Sequence, residues 1–545
     1  MEEILERPVP RRGEGNRMHA LRIVACFALA FSSLSGLVPD RAAAASPCSP
    51  RLASLGDAGA GAARRALCRP SRSGERGSAS AAVPEVEGPV TGGRGLFGVI
   101  GPFVAGTNFD LADVGYEQEE FFISGTARAW TNVGPLHPDG RWTVAPTSSA
   151  TYKTRILVYR PIDPARFNGV VWVEWLNVSG GIDAAPHWTT GHVELIREGY
   201  VWVGVSAQFQ GVEGPPTLAG VPLGGLKIND PERYGSLSHP GDSFSYDIFS
   251  QAGQAIRRGD PDPLRGLHPQ NVVAAGESQS ASRLVTYVNA IDPVAQVYDG
   301  FLIHSRGGGS ARLSQEPEPE VTTPRTVRIR TDRGVPVLTF QTESDTIRSV
   351  PDRQPDLGRH RLWEVPGTAH ADVYTALLGP PDMGDDPSVF AITVTNAPVP
   401  GIIECGSPIN SGPQHAVLKA SIAALERWVR SGVPPPSAPR LELTGSPPEY
   451  LLDENGNVRG GIRTPWVDAP VAKLSGLGQT GPSFCALFGT TIPFDQAALD
   501  ALYPDHESYV AAVRTSAERA VRRGFLVRAD ADLLVLAAEQ SDIGR

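Results

Sequence analysis

Basic residues are not in excess and are not gathered. Forty-nine Lys and Arg stand against 59 Asp and Glu, a formal net charge of -10, and the cations are scattered rather than aligned along a stripe. That excludes the electrostatic footprint of a nucleic-acid binder. Long apolar runs are also missing beyond the N-terminus, so no integral membrane segment is expected in the mature chain. No HExxH spacing occurs; His187 and His192 are five apart without neighbouring carboxylates, and no metal site is expected. The glycine-rich stretch Arg306 to Ser310 lacks the lysine of a phosphate-binding loop. No cofactor motif remains.

Cysteine is scarce, five in 545 residues. Cys26, Cys48 and Cys68 lie in the N-terminal part, which leaves Cys405 and Cys485 within folded-looking sequence. In an oxidising compartment these two are a candidate disulfide; two buried free thiols are the equal alternative, since sequence does not fix their separation. The compartment is suggested by the N-terminus. Arg11, Arg12, Arg17 and Arg22 precede the apolar run from Ile23 to Val38, and small residues follow from Ala42 to Ser46. This is the order of an export signal, here assigned to residues 1–45, and it predicts a secreted or periplasmic protein. A start at Met18 would give that signal a more ordinary length. A membrane anchor is the competing reading, against which the run is short and carries three serines. The apolar run also continues past Cys26, which argues against lipid attachment.

Residues 46–95 are rich in Ala, Gly, Ser, Arg and Pro and predict a disordered linker. Texture changes at Leu96. Over 96–545 apolar strand patterns alternate with helical ones, which predicts an open, mostly parallel sheet with helices on both faces and a C-terminal helical extension. The run Gly169 to Val178 is almost continuously apolar, as in a strand covered on both sides. Pro/Gly-rich spans near 211–242 and 372–413 are long for connections and are expected to be cap insertions over a site.

The strongest chemical signal is VVAAGESQSAS, where Ser278 stands between an apolar strand and a helix. A serine hydroxyl becomes a useful nucleophile when a sharp turn lifts it off the sheet, beside a base and at a helix N-terminus. Gly276 supplies the small residue before it, whereas Ser280 replaces the usual second glycine. If Ser278 is the nucleophile, an acid and then a histidine should follow later strands. The strand VPVLTFQ runs into Glu343 and Asp345, and RLWEVPG runs into His370. Asp345, further beyond its strand, is the preferred acid, with Glu343 the alternative. His415 follows no strand and is the rival base; His304 is read as pocket-lining or structural. The developing oxyanion needs backbone donors, for which Gln279 and the loop Asn177, Gly180 and Gly181 are candidates.

The combination GESQSASRL, PVLTFQTESD, WEVPGTAHAD and LFGTTIPFD resembles the α/β-hydrolase superfamily, in particular a group of large bacterial proteins known as the alpha/beta hydrolase domain family. The resemblance implies an α/β-hydrolase fold and an esterase-like assignment of Ser278, Asp345 or Glu343, and His370. Its segments around CGSPINSGPQHAVL and FCALFGTTIPF favour pairing Cys405 with Cys485. A serine esterase acting on a small or medium ester is the expected function. Other chemistry on the same fold, as lactonase or amidase, and an exported, catalytically inert binding protein are the alternatives. Trp172, Trp175, Trp188 and Phe209 could line an apolar acyl pocket or equally pack the core.

Overall fold

The computed structural model describes residues 81–93, 101–215 and 223–545. The expected export signal, and the expected linker as far as residue 80, lie outside them. Residues 81–93 of that span are ordered: β1 (Glu85–Glu87) pairs antiparallel with β2 (Tyr116–Asn132), Val86 opposite Ile123. The folded unit therefore reaches further toward the N-terminus than composition suggests, because a three-residue edge strand carries too little apolar pattern to be seen.

Nine strands form one sheet in the order β1-β2-β3-β5-β4-β6-β7-β8-β9. The long strands β2 (Tyr116–Asn132) and β3 (Val144–Pro161) are antiparallel, and β3 runs antiparallel to β5. From there on every pairing is parallel, through β4 (Val170–Trp175), β5 (Val201–Val205), β6 (Asn271–Glu277), β7 (Gly300–His304), β8 (Val337–Gln341) and β9 (His360–Glu364). All six residues of β4 are buried, because helices cover both faces. Val171, Val173 and Trp175 pack with Ile248, Phe249 and Leu284 on one side; Val170 and Trp172 pack with Trp188, Leu418 and Trp428 on the other. The first face is covered by α2 (Ser245–Arg258) and α3 (Gln279–Thr286), the second by α1 (Pro186–Arg197) and α5 (Gln414–Ser431). A short α4 (Glu343–Arg348) follows β8. The C-terminal helices α6 (His506–Arg522) and α7 (Arg528–Gln540) extend the second core through Val513, Ala520 and Leu534.

Two buried carboxylates anchor the elements around the site. Glu174, alternating onto the α1 face of β4, accepts the His187 and Trp188 N–H groups at 2.9 Å and Trp202 Nε1 at 3.0 Å. It caps α1, whose own Ala185 offers no side-chain cap. Asp183 meets Arg155 Nη2 at 2.7 Å, and Arg155, fully buried, reaches Glu120 at 3.3 Å. That ion cluster pins the loop after β4 to β3.

The sheet reverses direction of growth between β4 and β6. β4 leads to β5 on one side, whereas β6 to β9 extend on the other. In open α/β sheets the crevice outside the strand C-termini at such a reversal is where ligands bind. Among the described residues no helix is long and apolar enough to cross a membrane.

Candidate active site

Ser278 occupies the turn between β6 and α3 with φ 59° and ψ -116°. A positive φ is unusual for a residue with a side chain and is held here by its surroundings. Its N–H donates to His304 O at 2.9 Å. Gly276 lets the turn close, since a Cβ there would lie 3.0–3.1 Å from atoms of Ser280 and Leu284. Ser280, in place of the second glycine, is small enough to be fully buried in the same turn.

His370 Nε2 lies 2.8 Å from Ser278 Oγ, and His370 Nδ1 lies 2.6 Å from Asp345 Oδ1. Asp345 starts in the first turn of α4, where Thr342 Oγ1 donates to its other oxygen at 2.5 Å. The backbone of His370 is fixed as well: its N–H donates to Ser344 Oγ at 2.9 Å, and its carbonyl accepts from Gln414 Nε2 at 3.2 Å. Glu343 is turned away, accepting the N–H groups of Gly367 and Gly476 at 2.6 and 2.7 Å. It is a loop cap, and burial pushes its carboxyl up to about 7.

A second carboxylate reaches the imidazole. Glu277 Oε1 stands 3.2 Å from His370 Nε2, and Asn177 Nδ2 donates to the Glu277 carbonyl at 3.1 Å. Burial lowers the His370 pKa, but the charges of Asp345 and Glu277 outweigh it and hold the imidazole at about 9. Burial raises Glu277 to about 7 against the pull of His370. Asp345 is pushed up by burial yet held at about 2 by His370 and its hydrogen bonds. Glu277 directly precedes the serine, and only the motif spacing could have drawn attention to it.

These groups open into a cavity of about 600 Å³. Gln279, Asn177 and Gly180 are on its wall, but Gly181 is not. The Asn177 N–H is spent on Ala184 O at 2.8 Å and the Gly181 N–H on Val178 O at 2.9 Å, so these two backbone donors serve the loop itself. Of the candidate donors, Gln279 and Gly180 are on the cavity wall.

The tryptophans pack the core: Trp172 and Trp175 are fully buried, Trp188 nearly so, and none reaches the cavity; Phe209 is exposed and outside it. Among the described residues of the two spans expected to cap the site, only Thr375 is on the wall, to which residues within 307–323 and Phe484, Leu487 and Phe488 contribute instead. Gly307, Gly308 and Ser310 of the glycine-rich stretch belong to it. Cys405 and Cys485 are bonded, with Cα atoms 5.6 Å apart, and tether that last segment. His304 lies on the wall, buried beside His187 at 6.0 Å between ring centroids; burial first, then His187, drives its pKa well down and keeps it neutral. His415 is not on the cavity wall; it is buried and stacked on Tyr374 at 4.0 Å. His192 bonds the carbonyls of Thr189 and Asp382. Among the described residues no three His, Cys, Asp or Glu side chains converge as metal ligands.

Solved structures with a partial likeness include a glucuronoyl esterase from Solibacter usitatus, at 11% identity over 53% of this chain and 83% of that one, TM-score 0.26. A putative dienelactone hydrolase from Klebsiella pneumoniae subsp. pneumoniae matches at 11% identity over 45% and 85%, TM-score 0.23. A thermostable esterase from Pseudomonas putida matches at 14% over 45% and 69%, TM-score 0.24. Likeness at this level says nothing of substrate. No curated protein matches the sequence. The sequence model of the family described as alpha/beta hydrolase domain matches residues 86–536, almost the whole described chain. The parallel sheet, the serine turn after β6 and that match together place the chain in the alpha/beta hydrolase domain family, and it belongs there.

Proposed function

We propose that the protein is an exported serine esterase that hydrolyses small or medium carboxylic esters through an acyl-enzyme. The observation that carries this reading is the unbroken chain of contacts from Ser278 Oγ through His370 to Asp345, at 2.8 and 2.6 Å. Ser278 Oγ attacks the ester carbonyl carbon as its proton passes to His370 Nε2. Asp345 holds the ring and balances the imidazolium. The oxyanion is met by the N–H of Gln279 and by Gly180 across the cavity. As the C–O bond breaks, the alcohol takes the proton from Nε2. Water then attacks the acyl carbon and gives its proton to Nε2, which returns one to Ser278 as the acid leaves. Export is supported by the basic, apolar and small-residue order of residues 1–45 and agrees with a disulfide between Cys405 and Cys485.

Steady-state hydrolysis of p-nitrophenyl acetate tests the reading. The wild type is expected to turn it over, Ser278→Ala to lose about 10⁶-fold in kcat, and Asp345→Asn about 10⁴-fold. Turnover that survives Ser278→Ala would overturn the assignment.

A further inference from the structure

Three arginines stand on the cavity wall, so the space is not the apolar acyl slot that tryptophans would have made. Two of the three are already neutralised. Arg283 Nη2 meets Asp242 at 2.7 Å, and Arg312 Nε meets Glu320 at 2.9 Å. Arg348, the last residue of α4, is the exception: it is exposed, and its guanidinium makes no hydrogen bond or ion pair with any described residue. Its charge nevertheless reaches the base. Burial, then Asp345 and Glu277, govern the proton on His370, and Arg348 adds an opposing push. The neighbouring stretch supplies further donors. Gly307 and Gly308, also on the wall, keep accessible surface, and neither N–H finds an acceptor among the described residues. They adjoin the end of α4: a Cβ on Gly308 would lie 2.9 Å from Arg348 O, whereas one on Gly307 would meet nothing within 4 Å. An unpaired guanidinium and uncommitted N–H groups on one wall are donors without acceptors, and the group that offers only acceptors and the opposite charge is an anion. One unpaired cation balances one negative charge. A phosphate dianion would leave a charge over beside Glu277 and Asp345 on the same wall, whereas a carboxylate is matched and can be held by both arms of the guanidinium.

Resting on the esterase reading for the reaction, we infer that the substrate is an ester bearing a free carboxylate, which Arg348 recognises while the scissile carbonyl lies at Ser278. The carboxylate belongs to the acyl part if the substrate is the monoester of a dicarboxylic acid, and to the alcohol part if it is the acyl ester of a hydroxy acid. A charge-assisted pair at the wall favours such an ester over a neutral one of the same size and fixes which way round it enters.

The test is calorimetric binding to the full chain carrying Ser278→Ala. The monomethyl esters of succinate, glutarate and adipate are set against the same esters with the carboxylate replaced by a carboxamide. The acetyl esters of glycolate and of γ-hydroxybutyrate are set against their amides, so that either side of the ester bond carries the charge and its reach is varied. In at least one pair the carboxylate is expected to bind about tenfold or more tightly than the amide. Adding Arg348→Gln should abolish that preference. Arg348 is exposed, so its replacement leaves the core intact. Equal or tighter binding of the amide in every pair would overturn the inference, as would a preference that survives Arg348→Gln. Because binding to Ser278→Ala needs no turnover, this outcome is separate from that of the esterase reading, which the wild-type p-nitrophenyl acetate assay decides.

Discussion

His370 lies between two carboxylates that do different work. Asp345 holds Nδ1, and Glu277 competes with Ser278 for Nε2. Burial alone would keep the ring neutral, but the two negative charges beside it hold the proton up to about 9. A general base must be neutral to accept the serine proton, so activity should rise as pH increases through that value. The measured kcat/KM profile is therefore expected to show an alkaline acid limb near pH 9. Replacing Glu277 with Gln removes one of the charges that raise His370, and the limb should move to lower pH. Glu277 and His370 titrate as a pair, so the profile reports the pair rather than either residue. A limb unmoved in Glu277→Gln would show that the carboxylate does not act on the base.

The elements that build the site were unequally legible. Ser278, Asp345 and His370 each follow a largely buried strand, and such a strand announces itself by composition. Helix α1 begins at Pro186, a full turn and more ahead of the helical pattern VELIREG. Its first turn, His187 to Thr190, has weak helix formers and is held by the Glu174 carboxylate on a neighbouring strand, a tertiary contact that no local pattern reports. The wall from 307–323 was missed for a related reason: its conformation comes from contacts such as Gly309 N–H to Asp352 at 2.8 Å. The tether at Phe484 to Phe488 depends on Cys485 and its bond to Cys405, 80 residues away. Closing a chain segment of that length is worth about 2–4 kcal/mol. The double variant Cys405→Ser/Cys485→Ser should lower the denaturation free energy by that amount and raise KM, because Phe484 and Leu487 lose their anchor. An unchanged denaturant midpoint would show that the bond constrains nothing that matters.

At the scale of the whole molecule, the alternation of strands and helices was enough to predict an open sheet covered on both faces, and the family match over 86–536 agrees with that architecture. Strand order was not readable, and strand order explains the site: the reversal between β4 and β6 opens the crevice that Ser278 enters, with Asn177, Ser179 and Gly180 on its wall. The polar character of that crevice was hidden too. Aromatic residues near strand ends read alike whether they face a cavity or a core, and here Trp172, Trp175 and Trp188 face the core.

Labelling of the full chain with a fluorophosphonate, followed by peptide mass mapping, tests the central claim most directly. The account predicts one adduct, on Ser278, absent in Ser278→Ala and reduced by orders of magnitude in His370→Ala. A folded protein that takes no label, or takes it at another residue, would contradict the account.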